Sequence, residues 1–374
     1  MTLLLLFIHV RNHNRRGVDS IYLFFLTENN HNSCSRSLAD VFTFCWLTNA
    51  ACEQDAMPPA LSKNRSELAD RLLAFCRDGE FEKASELVIS NMGIINVDDT
   101  NDANGVTALH WAADRGEIDM IKLLIGPGGG CVDPKNSWNS TPLFWAANNG
   151  HDDAVIALIE SKASISSRNH NNWSPFHACI RAGALKAAKY IAEKYDTVIN
   201  MPAHGGVHPI HLGCIARRVD VVQYLLSTGK TSINVSTHSG VTPLHLACKL
   251  NYVDMASYLI EQDADLDAQN ADGATPLHIC AQKRYYELCR KLILSGADSK
   301  LSTISGWTAL HWFAEQGQLE LCKLVVKHGG GVSSKLETDG GDTPIELADI
   351  QGHVAICSYL LPIQKINYDQ KDES

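Results

Sequence analysis

One nine-residue phrase governs what this chain can fold into: Gly240-Val241-Thr242-Pro243-Leu244-His245-Leu246-Ala247-Cys248 returns, in variants, at a fixed interval. With the position of Thr242 as the anchor, its equivalents are Thr107, Thr141, Ser174, His208, Thr275, Thr308 and Thr343. Successive anchors are therefore 34, 33, 34, 34, 33, 33 and 35 residues apart by subtraction. Self-similarity at this period marks an array of stacked units, each touching only its neighbours, and not a set of separate globules.

The residues around the anchor say what each unit is. Two positions earlier stand Gly105, Asn139, Asn172, Gly206, Gly240, Gly273, Gly306 and Gly341. Glycine and asparagine enter the left-handed backbone region at least cost, so a tight turn precedes each anchor. The anchor is a hydroxyl in seven of eight copies, suited to accept an N–H of the first helical turn. Proline follows in six copies, at 142, 175, 209, 243, 276 and 344, where its fixed φ and missing donor suit the first helical position. Small residues then recur, among them Ala112, Ala113, Ala146, Ala147, Ala247, Cys248, Cys280 and Ala281, and they let neighbouring short helices approach closely. A second turn carries Gly116, Gly150, Gly183, Gly317 and Gly352, or Arg217, Asn251 and Arg284 in the same frame. The segments after it, such as Val221-Val222-Gln223-Tyr224-Leu225-Leu226, are apolar at i, i+3 and i+4, which is a helical stripe.

Thr242-Pro243-Leu244-His245-Leu246-Ala247, with Asp272-Gly273 and Gly296-Ala297-Asp298, resembles the ankyrin repeat over roughly residues 66–363. The resemblance implies an all-α fold: an ankyrin-repeat α-solenoid of helix-turn-helix units with short hairpin-like turns. The expected organisation is an N-terminal extension over 1–56, a leader over 57–65, a degenerate capping repeat over 66–101, eight repeats over 102–364 and a polar tail over 365–374. Residues 1–56 differ abruptly in composition and are read as disordered or as an artefact of translation, with Met57 the natural start. A secretory signal fits poorly there, because Arg11, Arg15 and Arg16 follow the apolar run Leu3–Ile8 instead of preceding it. Glu346 and Asp349 in the last copy predict a polar C-terminal cap.

Charge and cysteine usage narrow the function. A formal net charge of −10 with no basic stripe argues against a nucleic-acid partner. No run of eighteen apolar residues predicts a membrane span. Of twelve cysteines, Cys76, Cys179, Cys214, Cys248, Cys280, Cys289, Cys322 and Cys357 fall on helical or core frames, and no Cys-x-x-Cys occurs. They read as free thiols in a reducing compartment, which places the chain in the cytoplasm or the nucleus. The glycine-rich loops at 126–130 and 329–331 follow helices and lack a Gly-Lys-Ser/Thr, so they read as helix ends and not as phosphate cradles.

His110, His177, His211, His245, His278 and His311 recur three residues past the anchor. The resemblance implies that each bonds the turn backbone and the anchor hydroxyl and so holds repeats in register. No nucleophile, base and oxyanion site converge, because Ser, Asp and His are dispersed by the period. We therefore expect no enzyme activity, no cofactor and no metal.

In the family, partners meet the concave side formed by turn tips and first helices. Carried onto this chain, that side offers Arg115, Trp138, Asn148, His170, Trp173, Arg181, His204, His238 and Trp307. The groove of the second to fourth repeats is the expected principal contact surface. Trp138, Trp173 and Trp307 are open to two readings, an exposed interface anchor or an indole folded over the neighbouring turn. Trp111, Trp145 and Trp312, in the frame of Leu246, are expected to pack between repeats. The leading expectation is a monomeric adaptor binding protein partners. The alternative is the regulatory ankyrin portion of a larger enzyme or channel, such as an acyltransferase or an ion channel.

Overall fold

The computed structural model describes residues 5–8, 22–25 and 59–369. The chain divides into two compact units, Met1–Asp55 and Ala56–Ser374. In the first, β1 (Leu5–Ile8) pairs antiparallel with β2 (Tyr22–Phe25), Leu5 opposite Phe25 and Ile8 opposite Tyr22. These strands fall within the apolar sequence runs Leu3–Ile8 and Ile21–Leu26. The rest of 1–56, and with it the expectation of disorder or of a start at Met57, lies outside the described residues.

The second unit is all-α. It opens with α1 (Pro59–Asp78) and α2 (Phe81–Ser90), so the stretch read as a leader is helical from Pro59 onward. Eight helix pairs follow: α3 (Ala108–Arg115) with α4 (Ile118–Ile125), α5 (Pro142–Asn148) with α6 (Asp152–Glu160), α7 (Pro175–Ala182) with α8 (Leu185–Lys194), and α9 (Pro209–Ile215) with α10 (Val219–Ser227). They continue as α11 (Pro243–Lys249) with α12 (Val253–Glu261), α13 (Pro276–Gln282) with α14 (Tyr286–Leu294), α15 (Ala309–Glu315) with α16 (Leu319–Lys327), and α17 (Pro344–Ile350) with α18 (Val354–Asp369). Every first helix begins immediately after its anchor residue, as the hydroxyl and proline pattern predicts.

The first helices form an unbroken row from α1 to α17, each against the next. Small side chains permit this: Ala112, Ala113, Ala146, Ala147, Cys179, Cys214, Ala247, Cys248, Cys280 and Ala281 are fully buried. A second row of contacts runs along the tips of the turns. The amide of Ser137 donates to the Asn104 carbonyl at 2.8 Å, His170 to Trp138 at 3.1 Å, His238 to Gly205 at 3.0 Å, Ala271 to Ser239 at 2.9 Å and Ile304 to Asp272 at 2.9 Å. Backbone groups that a loop would leave to solvent are thus paired between units.

Both turns need the left-handed region, for different reasons. At Gly240 φ is +72°, and a Cβ there would lie 2.9 Å from Asn270 Cα and 3.1 Å from the Gln269 carbonyl oxygen. The first turn therefore combines backbone conformation with close approach to the next unit. Arg217, Asn251 and Arg284 hold φ of +56°, +56° and +62° at the second turn, where space around the equivalent Gly352 is open. That turn demands the dihedral, and where a Cβ would meet anything closely, at Gly116, Gly183 and Gly317, the neighbour is a side chain and not the backbone met at Gly240.

The far end departs from a purely polar cap. Glu346 and Asp349 are exposed as expected, but Ile350 is 69% and Val354 73% exposed. The equivalents of Val354 in inner units, Val219, Val253 and Leu319, pack against the core, and among the described residues nothing follows to cover Val354. Helix α18 also runs through Pro362 to Asp369, so part of the stretch read as a tail is helical. Among the described residues, no helix is long and apolar enough to cross a membrane.

Candidate protein-binding face

The recurring histidines are consumed by the scaffold. Nε2 of His110 donates to the Ser140 carbonyl of the next unit at 3.0 Å, His245 to Ala274 at 3.0 Å, His278 to Leu301 at 3.0 Å and His311 to Leu336 at 2.9 Å. His211 spans Val235 and Val241, both at 3.1 Å. With the proton on Nε2, Nδ1 is left to accept the anchor amide, at 3.1 Å from Thr107 N and 3.2 Å from Thr242 N. The anchor hydroxyl lies 2.8 Å from the same Nδ1 at Thr242. His177 is the exception: its Nε2 is buried facing the Met201 carbonyl without closing a hydrogen bond. Burial pushes the imidazole pKa down at all six, to about 4 at His177, His211 and His278, so the rings are neutral where a neutral acceptor is required.

The thiols are similarly placed. Cys76, Cys179, Cys214, Cys248, Cys280, Cys289 and Cys322 are buried and free, Cys357 is half-buried and Cys131 is exposed. Burial raises Cys76, Cys214 and Cys322 to about 12, which keeps them protonated and unreactive.

The residues read as partner-binding fall into three places. Trp138 (51% exposed), His170, His204 and His238 stand exposed along the tips. Arg115, Asn148 and Arg181 stand at the C-terminal ends of α3, α5 and α7. Trp173 joins the two strips: the Arg181 guanidinium lies 5.5 Å from its ring centroid and also donates to Asn148 Oδ1. Trp173 itself is half-buried against the core. Trp307 is elsewhere, half-buried and folded onto its own helix with its ring 4.0 Å from that of Trp312. Of the three turn tryptophans, only Trp138 presents an indole mainly to solvent. Trp111 and Trp145 meet edge to face at 5.6 Å and 88°, packing α3 against α5 as expected.

The structure adds a depression of about 520 Å³ across the ends of α5, α7 and α9, lined by Asn148, Asn149, Arg181, Ala182, Ile215, Ala216 and Arg218. It takes in Asn148 and Arg181 but not the tip residues. Ile215 and Arg218 were missed in the sequence, although Ile215 carried a signal. It is apolar and 42% exposed in a frame that reads Asp114, Asn148, Arg181, Lys249, Gln282 and Glu315 in other units.

A row of helix pairs locked by bonded tips and inter-unit histidines, with its variable side chains gathered on tips and first-helix ends, defines a helical repeat solenoid. The chain belongs to the ankyrin-repeat family: the family model described as ankyrin repeats in three copies matches residues 60–169, 126–202, 210–303 and 277–372. Among similar proteins is putative palmitoyltransferase ZDHHC13 of Danio rerio, 31% identical over 116 residues, which is 31% of this chain and 17% of that protein. Palmitoyltransferase ZDHHC13 of Homo sapiens is 33% identical over 99 residues, 26% of this chain and 15% of the relative. Palmitoyltransferase ZDHHC17 of Homo sapiens is 37% identical over 82 residues, 22% of this chain and 12% of the relative. The likeness thus spans a small part of each of these longer proteins.

Proposed function

We propose that this chain is a non-catalytic scaffold that binds a protein partner on the face formed by its turn tips and first-helix ends, centred on the second to fourth repeats. Ankyrin repeats are protein-interaction modules, which supports the general role. The observation that supports this position is the juxtaposition of exposed Trp138 and His170 with the Arg181–Trp173 pair and the depression across α5, α7 and α9. Tips bonded unit to unit make the surface preformed, so little conformational entropy is lost when a partner docks. Histidines engaged in structural bonds and thiols kept protonated support a role without catalysis, cofactor or metal. Free buried thiols and a net charge of −10 support a monomer acting in the cytoplasm or nucleus without nucleic acid. Affinity capture with mass spectrometry, comparing the natural chain with Trp138→Ala, tests the reading. Loss of captured proteins supports it, and an unchanged set overturns the assignment of the face.

The relatives are compatible with a second reading, in which these repeats are the regulatory portion of a larger acyltransferase. The matched proteins are named palmitoyltransferases. Sequencing full-length transcripts decides it: a reading frame joined to an acyltransferase domain supports the reading, and transcripts encoding the repeats alone contradict it.

A further inference from the structure

We infer that the depression across α5, α7 and α9 is a docking site for an acidic peptide segment carrying an aliphatic side chain. This deepens the binding reading above and rests on it. The chain is acidic overall, at −10, yet the seven residues lining this depression include two arginines and no carboxylate. Two carboxylates that bond residues in or beside this depression are already engaged by other arginines. Asp114 Oδ2 lies 3.9 Å from Arg115 Nε, while its Oδ1 accepts from Asn149 Nδ2 at 2.6 Å. Asp254 pairs with Arg217 at 2.8 Å. Among the described residues, Arg181 and Arg218 have no ion-pair partner.

The Arg181 guanidinium is held by its neighbours, and that of Arg218 lies against the backbone of the preceding unit. Arg181 is bonded to Asn148 and lies over the Trp173 ring. Arg218 lies across Gly183, so closely that a Cβ there would come within 2.7 Å of its Nε. A guanidinium held by neutral neighbours keeps N–H donors for a carboxylate, and its planar fork favours bidentate contact. Ala182, Ala216 and the exposed Ile215 line the same depression, apolar surface that an aliphatic side chain can cover. The competing explanation is that Arg181 merely complements the negative end of α7. Arg218, against the C-cap Gly183 at that same helix end, shares this role, but it leaves the exposed apolar Ile215 and the lack of any carboxylate in the lining unexplained.

The test pans a short random-peptide phage library on the full chain, on the double variant R181E/R218E and on R290E, whose site on α14 is distant. Each protein is checked for an unchanged thermal melt, and R181Q/R218Q replaces the double variant if that one fails to fold. The inference predicts enriched peptides that pair Asp or Glu with Leu, Ile or Val. It further predicts recovery on the arginine variant lower by about tenfold or more, unchanged recovery on R290E, and binding that weakens as salt rises. Enrichment of neutral, basic or phosphate-dependent sequences, equal recovery on the arginine variant, or no enrichment at all overturns it. A partner captured from cells that binds R181E/R218E undiminished sinks this site while leaving the broader interaction role intact.

Discussion

His245 Nε2 sits 3.0 Å from the Ala274 carbonyl oxygen, while His245 Nδ1 receives the Thr242 amide at 3.2 Å. One buried ring therefore ties the start of its own helix to the turn of the following unit. His245→Ala leaves a buried amide and a buried carbonyl without partners, and we expect a loss of about 2 kcal/mol. Urea unfolding measures the loss, and hydrogen exchange should place it in the units on either side of His245. A loss spread evenly from α1 to α18 would contradict the nearest-neighbour account.

The same rings set the acid limit of the fold. Each is depressed below the ordinary histidine value of about 6.5, to about 4 at His177, His211 and His278. Between those values the unfolded chain binds more protons than the folded one, so stability rises with pH and is lost as pH falls from about 6.5 towards 4. The slope approaches ~1.4 kcal/mol per pH unit for each ring that titrates. Urea midpoints taken across that range should fall with acidity, and the fall should be shallower in H278Q. A flat profile contradicts the neutral-ring geometry.

Two glycines separate dihedral from space. Gly240→Val meets both a φ of +72° and backbone of the next unit at 2.9 Å, and should cost about 3 kcal/mol. Gly352→Asn meets a φ of +75° with nothing within 4 Å, and asparagine already occupies the equivalent Asn251. That substitution should change stability by less than about 1 kcal/mol. Thermal melts of the two variants check the contrast, and equal losses would refute it.

The fold was legible because its signals repeat. A hydroxyl, a proline and a glycine or asparagine at fixed offsets fix a turn and a helix start, and the eight anchor positions recur in register even where one signal is replaced. The end positions were less legible: Val354 has a core-type side chain whose exposure depends on what lies beyond it, not on its own identity. The site was read in part. Arg181 and Asn148 were found from their frame, but their contact with each other and with Trp173 depends on side-chain reach that spacing does not encode. Trp307 shows the converse: one residue before its anchor, in the frame of Trp173, it finds a ring to stack on in Trp312, whereas Trp138, three residues before its anchor, ends 51% exposed.

That difference predicts opposite behaviour for the two indoles. Trp138→Ala should leave stability within about 0.5 kcal/mol while weakening partner binding. Trp307→Ala removes a stacked, half-buried ring and should cost about 2 kcal/mol. Paired denaturation and binding measurements check both, and a reversal of the two phenotypes would relocate the binding surface.

The most direct measurement is hydrogen exchange of the full chain with and without a protein partner recovered by affinity capture. The account predicts new protection in the segments holding Trp138, His170, Arg181 and Ile215, with α6, α8 and α10 unchanged. Protection confined to α6, α8 and α10, with the tips and the ends of α5, α7 and α9 unaffected, would contradict it.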